Sequence, residues 1–211
     1  MLRRLYMIWL CLFAPILTGC NQFGLGARIE CADIHNDFES GFPFDWDSAA
    51  SRTQWIATNY GISKSEIRES GPWLYWSKGQ TQYAFTTDGP RVIKSWARDP
   101  GVRDVIRCLG DPETYQAFKE TDRYVLILWY PKRATSFEAS YRQYGKLAES
   151  PFGLDSGIWT SQVVRPGDLA SMLEDANPNP DWVHLRDVAM ARPWPGDIKT
   201  ISIVEVPAGN K

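Results

Sequence analysis

An α+β fold, built on a mainly antiparallel sheet with a few short helices, is what the sequence predicts, and three observations predict it. Helix-like and strand-like patterns come in clusters rather than in strict alternation. The strand-like runs are short and divided by turn pairs such as Lys78-Gly79 and Asp88-Gly89, as in hairpins. Two amphipathic stretches, each opened by a Pro-Gly pair, carry apolar residues at helical spacing.

Taken in order, residues 21–45 read as a tether punctuated by Gly24, Gly26, Gly41 and Pro43. Asp47 or Ser48 caps a predicted helix carrying Trp55 and Ile56, which Gly61 ends. Ser63-Lys64-Ser65-Glu66 has the form of a capping box. Residues 73–76, 82–86 and 91–96 are rich in aromatic and β-branched side chains and predict a meander of three strands. A helix then starts at Asp99-Pro100, places Val102, Val105, Ile106 and Leu109 on one stripe and stops at Gly110. Asp111-Pro112 repeats the start signal, predicting a shorter helix with Tyr115 and Phe118 turned inward.

The apolar run 124–130, ended by Pro131, predicts a central strand. Residues 166–176 predict another helix through Leu169, Met172, Leu173 and Ala176, and residues 198–206 a closing strand. The windows 100–112 and 166–178 have equal length and each covers one amphipathic helix, which hints at a duplicated helix-plus-strands unit.

The first twenty residues have the order of a secretory signal. Arg3 and Arg4 precede an apolar stretch from Met7 to Leu17, too short to span a bilayer as a helix. Leu17-Thr18-Gly19-Cys20 then resembles the lipobox of bacterial lipoproteins. That resemblance implies cleavage before Cys20, a diacylglyceryl group on its sulfur and attachment to the plasma or outer membrane with the domain outside the cytoplasm. The implied organisation is a signal peptide over 1–19, a lipidated N-terminus and tether over 20–45, one α+β domain over 46–207 and a tail over 208–211. Asn21 after the lipidated cysteine resembles cargo sent outward in two-membrane bacteria, a rule that varies between groups.

Without residues 1–19 the chain keeps 21 Lys and Arg against 25 Asp and Glu. Such a balance, with no long basic cluster, argues against nucleic acid as a partner. Cys11 leaves with the signal, so Cys31 and Cys108 are the remaining thiols. Outside the cytoplasm they read as a disulfide closing a long loop, contributing roughly 4 kcal/mol. The other reading makes Cys108 a small buried apolar residue.

The segment 106–115, Ile-Arg-Cys-Leu-Gly-Asp-Pro-Glu-Thr-Tyr, followed by Leu128-Trp129-Tyr130-Pro131 and later by Pro193-Trp194-Pro195-Gly196-Asp197, resembles a group of uncharacterised bacterial envelope lipoproteins. It implies no known activity. Helix, turn and strands are also distantly similar to the small modules of outer-membrane assembly lipoproteins and of β-lactamase-inhibitor proteins, which implies protein binding.

One segment has residues for hydrolytic chemistry. In Asp33-Ile34-His35-Asn36-Asp37, alternate residues of an extended strand would point to one side and offer two carboxylates and an imidazole to a metal. The pattern is similar to the Asp-x-His-x-Asp segment of membrane dipeptidases, with His184 as the one further histidine, but the chain lacks their length. No Gly-x-Ser-x-Gly elbow or phosphate-cradling loop is present, and no cofactor is implied. Ser, Asp and Glu are common enough for a dispersed catalytic pair to exist without a motif. Nine tryptophans remain after processing. Most read as core, and Trp194, between two prolines, as the exposed contact or, with better reason, as a structural cap on the sheet.

The reading that emerges is a membrane-anchored, non-catalytic binding or scaffolding lipoprotein with an envelope protein or glycan partner. A small metal-dependent hydrolase using Asp33, His35 and Asp37, and a periplasmic enzyme inhibitor, are its alternatives.

Overall fold

The computed structural model describes residues 29–35, 49–71, 73–79, 81–86, 91–96, 99–142, 151–177 and 183–206. The chain divides into two units at Glu30/Cys31. Ile29 and Glu30 are the described residues of the first, and the second, Cys31–Lys211, carries the fold.

Helix α1 (Cys31–Ile34) and helix α2 (Ala49–Tyr60) come first. Gly61, at φ +64°, ends α2 as the sequence predicts. The capping box forms on a single 3₁₀ turn, Lys64–Glu66: the Ser63 side chain accepts from the Ser65 N–H, and the Ser63 N–H donates to Glu66. Strands β1 (Arg68–Ser70), β2 (Trp73–Lys78), β3 (Thr81–Thr86) and β4 (Arg91–Trp96) follow. Helix α3 (Val102–Leu109) is capped at Gly101, one residue past the predicted proline, because the Asp104 carboxylate accepts from the Gly101 N–H. Gly110, at φ +82°, stops it.

Four strands come next: β5 (Thr114–Glu120), β6 (Arg123–Tyr130), β7 (Thr135–Arg142) and β8 (Ile158–Val164). Helices α4 (Leu169–Ala176) and α5 (Val183–Arg186) precede β9 (Arg192–Pro193) and β10 (Val204–Val206).

Among the described residues, ten strands join one sheet in the order β1-β2-β3-β4-β8-β7-β6-β5-β10, with β9 also on β5. Every pairing is antiparallel except β10 with β5. The fold is therefore α+β with a mostly antiparallel sheet, and β6 is an interior strand as predicted.

Register assigns the side chains to two faces. The first carries Leu74, Trp76, Tyr83, Phe85, Val92 and Val163, and continues across Phe137, Leu128 and Leu126. Ile56 and Tyr60 of α2 pack on its β2–β4 part, where the Tyr60 ring lies 5.3 Å from Trp76 and 5.0 Å from Tyr83. Helices α1 and α3 meet this face too: Lys94 and Trp96 donate to the Asp33 carbonyl, and the Tyr130 hydroxyl donates to the Gly110 carbonyl. On the second face, Met172, Leu173 and Ala176 of α4 and Leu185 of α5 pack on Phe118, Val125, Ile127, Trp129 and Val164.

Three expectations are corrected. The predicted helix with Tyr115 and Phe118 inward is strand β5, whose central residues are buried on both faces. In residues 198–206 only the last three form a strand. Ile198–Thr200 is a 3₁₀ turn because the Asp197 carboxylate accepts from the Lys199 N–H, a local bond that competes with extension. The windows 100–112 and 166–178 are not a duplicated unit, since α3 leads into β5 and serves the first face while α4 leads into α5 and serves the second.

Candidate functional site

The described part of the predicted metal segment, residues 33–35, is not an extended strand. Cys31–Ile34 is helical, and the His35 N–H donates to the Cys31 carbonyl at 2.9 Å, continuing the turn. At 3.6 residues per turn, positions two apart point roughly 200° from each other, so Asp33 and His35 do not share a side. Asp37 lies outside the described residues, as does the side chain of His184. Among the described residues no group of three His, Cys, Asp or Glu side chains is placed to hold a metal ion. The Asp33 carbonyl instead receives Lys94, which is buried between the Tyr83 and Trp96 rings.

Cys31 and Cys108 form a disulfide that joins α1 to α3. Cys20 lies outside the described residues, and no described helix is long and apolar enough to cross a membrane. Trp194 is half-buried at the sheet edge, with its ring edge-on to Tyr115 at 6.0 Å and its backbone N–H donating to the Glu113 carbonyl. It packs there as a cap on β5.

A concavity lies elsewhere, on the second face, where α4 and α5 stop short of the strands beyond β8. It is a cleft of about 350 Å³, within the range of small-ligand sites of roughly 300–1,000 Å³. Ile93, Val125 and Ile127 give it an apolar floor, and Asn177 and Leu185 close one end. Trp73, Trp159, Arg91, Arg123, Glu120, Glu138, Thr160 and Gln162 line the rest.

Each of these side chains has a local reason for its position. Between β7 and β8 the register pairs Glu138 with Thr160 but Ala139 with Ile158, so Trp159 is an extra residue in β8. A bulge of this kind re-aims a side chain. Trp159 joins the cleft-facing side with Glu138 and Thr160 and is 44% exposed. The Arg123 guanidinium stands 5.3 Å from the Trp159 ring centroid and bonds Glu138 at 2.9 Å. Burial pushes the Glu138 carboxyl above its ordinary value, and the Arg123 charge and the Trp159 hydrogen bond only partly offset it. A carboxyl displaced this way within a cleft is a mark of functional sites.

At the other end, Arg91 lies 5.3 Å from the Trp73 ring centroid and donates to the Ala176 carbonyl at 2.6 Å. Arg186 donates to the Asn177 carbonyl at 2.6 Å, and the Asn177 amide donates to the Leu173 carbonyl. The last carbonyls of α4 and its C-cap are thus bonded by two guanidiniums and an amide, a favourable arrangement at the negative end of a helix. Arg91 thereby fixes the end wall and Trp73 together. Trp73 in turn stacks on Tyr75, at 6.1 Å and 24° between planes.

None of these residues stands out in the sequence, because the cleft is assembled from six strands together with Asn177 and Leu185. No family model, no curated protein and no solved structure matches this chain.

Proposed function

We propose that this chain is a binding module of the bacterial cell envelope, held at a membrane by lipid on Cys20 and using the second-face cleft to take its partner. The address rests on the signal-like residues 1–19 and the lipobox-like Leu17-Thr18-Gly19-Cys20. The Cys31–Cys108 disulfide is in keeping with an oxidising compartment.

The observation that carries the binding role is the bulge that turns Trp159, 44% exposed, over a charged and aromatic lining. Its charged groups already serve the architecture, Arg123 on Glu138 and Arg91 on the Ala176 carbonyl, which favours recognition over catalysis.

Two measurements test the two halves. Intact mass of the chain from a lipoprotein-processing host is expected to show loss of residues 1–19 and a diacylglyceryl increment that Cys20→Ala abolishes. An unprocessed, unlipidated chain would remove the address. For the cleft, tryptophan emission is expected to change on titration with envelope fractions in the parent and not in Trp159→Ala. No response to any fraction would remove the binding role.

A further inference from the structure

We infer that the cleft is a carbohydrate site that stacks a pyranose ring on Trp159 and reads its hydroxyl edges with Gln162, Glu138 and Arg123. This rests on the binding role proposed above and names its ligand class.

The first ground is charge. Arg91 and Arg123 are matched by Glu120 and Glu138, so the lining presents no net charge to select a phosphate, a basic peptide or a nucleic acid. An acyl chain would call for an apolar lining throughout, whereas seven of the lining side chains are polar or charged. A pyranose has the opposite character to both: apolar C–H faces and a rim of hydroxyls.

The second ground is the aromatic geometry. A guanidinium over one face of an indole holds the ring by cation–π attraction. Arg123 does so for Trp159, whose 44% exposure leaves surface for a second stacking partner. The Trp73–Tyr75 stack continues the aromatic surface at the other end, with Tyr75 39% exposed. Rigid amphipathic rings supply contact area at little entropic cost.

The third is an acceptor. Gln162 Oε1 is buried and has no hydrogen-bond partner among the described residues, which is uncommon for a buried oxygen. It sits in the cleft lining beside Thr160 and is suited to receive a ligand hydroxyl. The Glu138 carboxylate oxygens and the Arg123 guanidinium add the acceptor and donor that sugar edges require. Flat C–H faces on both sides of the ring are a property of β-linked, equatorially substituted pyranoses, so these are the expected ligands over α-linked ones.

The experiment uses the mature, lipidated full chain in detergent. Cello- and chito-oligosaccharides are titrated by calorimetry and tryptophan emission, with a malto-oligosaccharide as comparator. The expected result is binding of a β-linked oligosaccharide with Kd near the millimolar range, weakened at least about tenfold in Trp159→Ala, as for an aromatic anchor, and retained in Trp159→Phe. Gln162→Leu is expected to weaken binding while leaving the thermal transition in place. Absence of heat and emission change with every saccharide overturns the inference, and so does equal binding by Trp159→Ala. If saccharides fail while a deglycosylated envelope protein fraction shifts emission in the parent and not in Trp159→Ala, the carbohydrate assignment falls and the binding role stands. If neither acts, both fall.

Discussion

Reduction of the Cys31–Cys108 disulfide has a consequence that can be sized from topology. The two cysteines are 77 residues apart, and the loop they close contains α2 and the whole of β1–β4. Constraining a loop of that length in the unfolded chain is worth about 4.5 kcal/mol by the chain-entropy relation. The bond acts on a sheet whose first four strands meet the rest through the β4–β8 ladder, and it adds a covalent link from α1, which bonds β4 through Lys94 and Trp96, to α3. With a urea m-value of about 2 kcal/mol/M, reduction or Cys108→Ser is expected to lower the unfolding midpoint by about 2 M.

The competing possibility is that α1 alone detaches. That would cost the hydrogen bonds from Lys94 and Trp96 to the Asp33 carbonyl and the burial of Ile34, which is 2% exposed, together about 3 kcal/mol. Hydrogen exchange separates the two: global destabilisation raises exchange in β5–β8, whereas local release raises it in residues 29–35 alone. A midpoint that moves by less than about 0.5 M, with exchange unchanged in β5–β8, would refute the loop argument.

Three further outcomes follow from single side chains. Gln116 is fully buried, accepts from the Trp129 indole at 3.0 Å and donates to the Leu185 carbonyl at 3.3 Å. Gln116→Leu leaves both partners unsatisfied and is expected to cost about 3 kcal/mol, read as a drop in Tm; a loss under about 1 kcal/mol would show that the two groups find other partners. Thr121 holds φ at +55° in the two-residue turn between β5 and β6, a strained conformation for a β-branched side chain. Thr121→Gly is expected to raise stability by about 0.5–1 kcal/mol after the entropic cost of glycine, and a loss on chemical denaturation would contradict the strain. Glu138 binds its proton more tightly folded than unfolded, so the parent should lose stability relative to Glu138→Gln as pH rises from the ordinary carboxylate range through the raised value. Parallel pH profiles, or a difference that grows toward acid, would reverse the assignment.

Much of this fold is legible in the sequence where the signal is local. The Val102, Val105, Ile106, Leu109 stripe, the Gly110 stop and the Ser63–Glu66 box are each set by neighbours within four residues, and each forms. Strand β5 is misleading for a physical reason. Gln116, Ala117 and Phe118 are buried on both faces of the sheet, so the period of two disappears and Tyr115 and Phe118, three apart, suit a helix equally well. Strands β7 and β8 give little sign because their buried positions include Thr135, Ser136 and Ser161. The cleft is less legible still. Trp159 gains its role from a bulge, and the charges beside it come from a pairing between Arg123 and Glu138 across the β6–β7 ladder. Turn chemistry suggested Trp194 as the exposed aromatic, yet edge packing on Tyr115 holds it, and strand irregularity exposes Trp159 instead.

The placement of the disulfide bears on how an anchored domain would work. Between Cys20 and Cys31 lie eleven peptide steps, a reach of at most about 40 Å. With lipid on Cys20, the domain would therefore sample a thin shell beside its membrane, where effective concentrations of a membrane-bound or wall-bound glycan are high and weak sites suffice. Within the folded unit the chain arrives at Cys31, which the disulfide ties to α3 on the first face, while the cleft opens on the second. With lipid on Cys20, a pull that reached Cys31 would be carried by the covalent bond to α3 as well as by the Lys94 and Trp96 donors that hold α1. The strands that shape the cleft would then be spared part of that load, and a weak aromatic site could keep its geometry while its anchor moves.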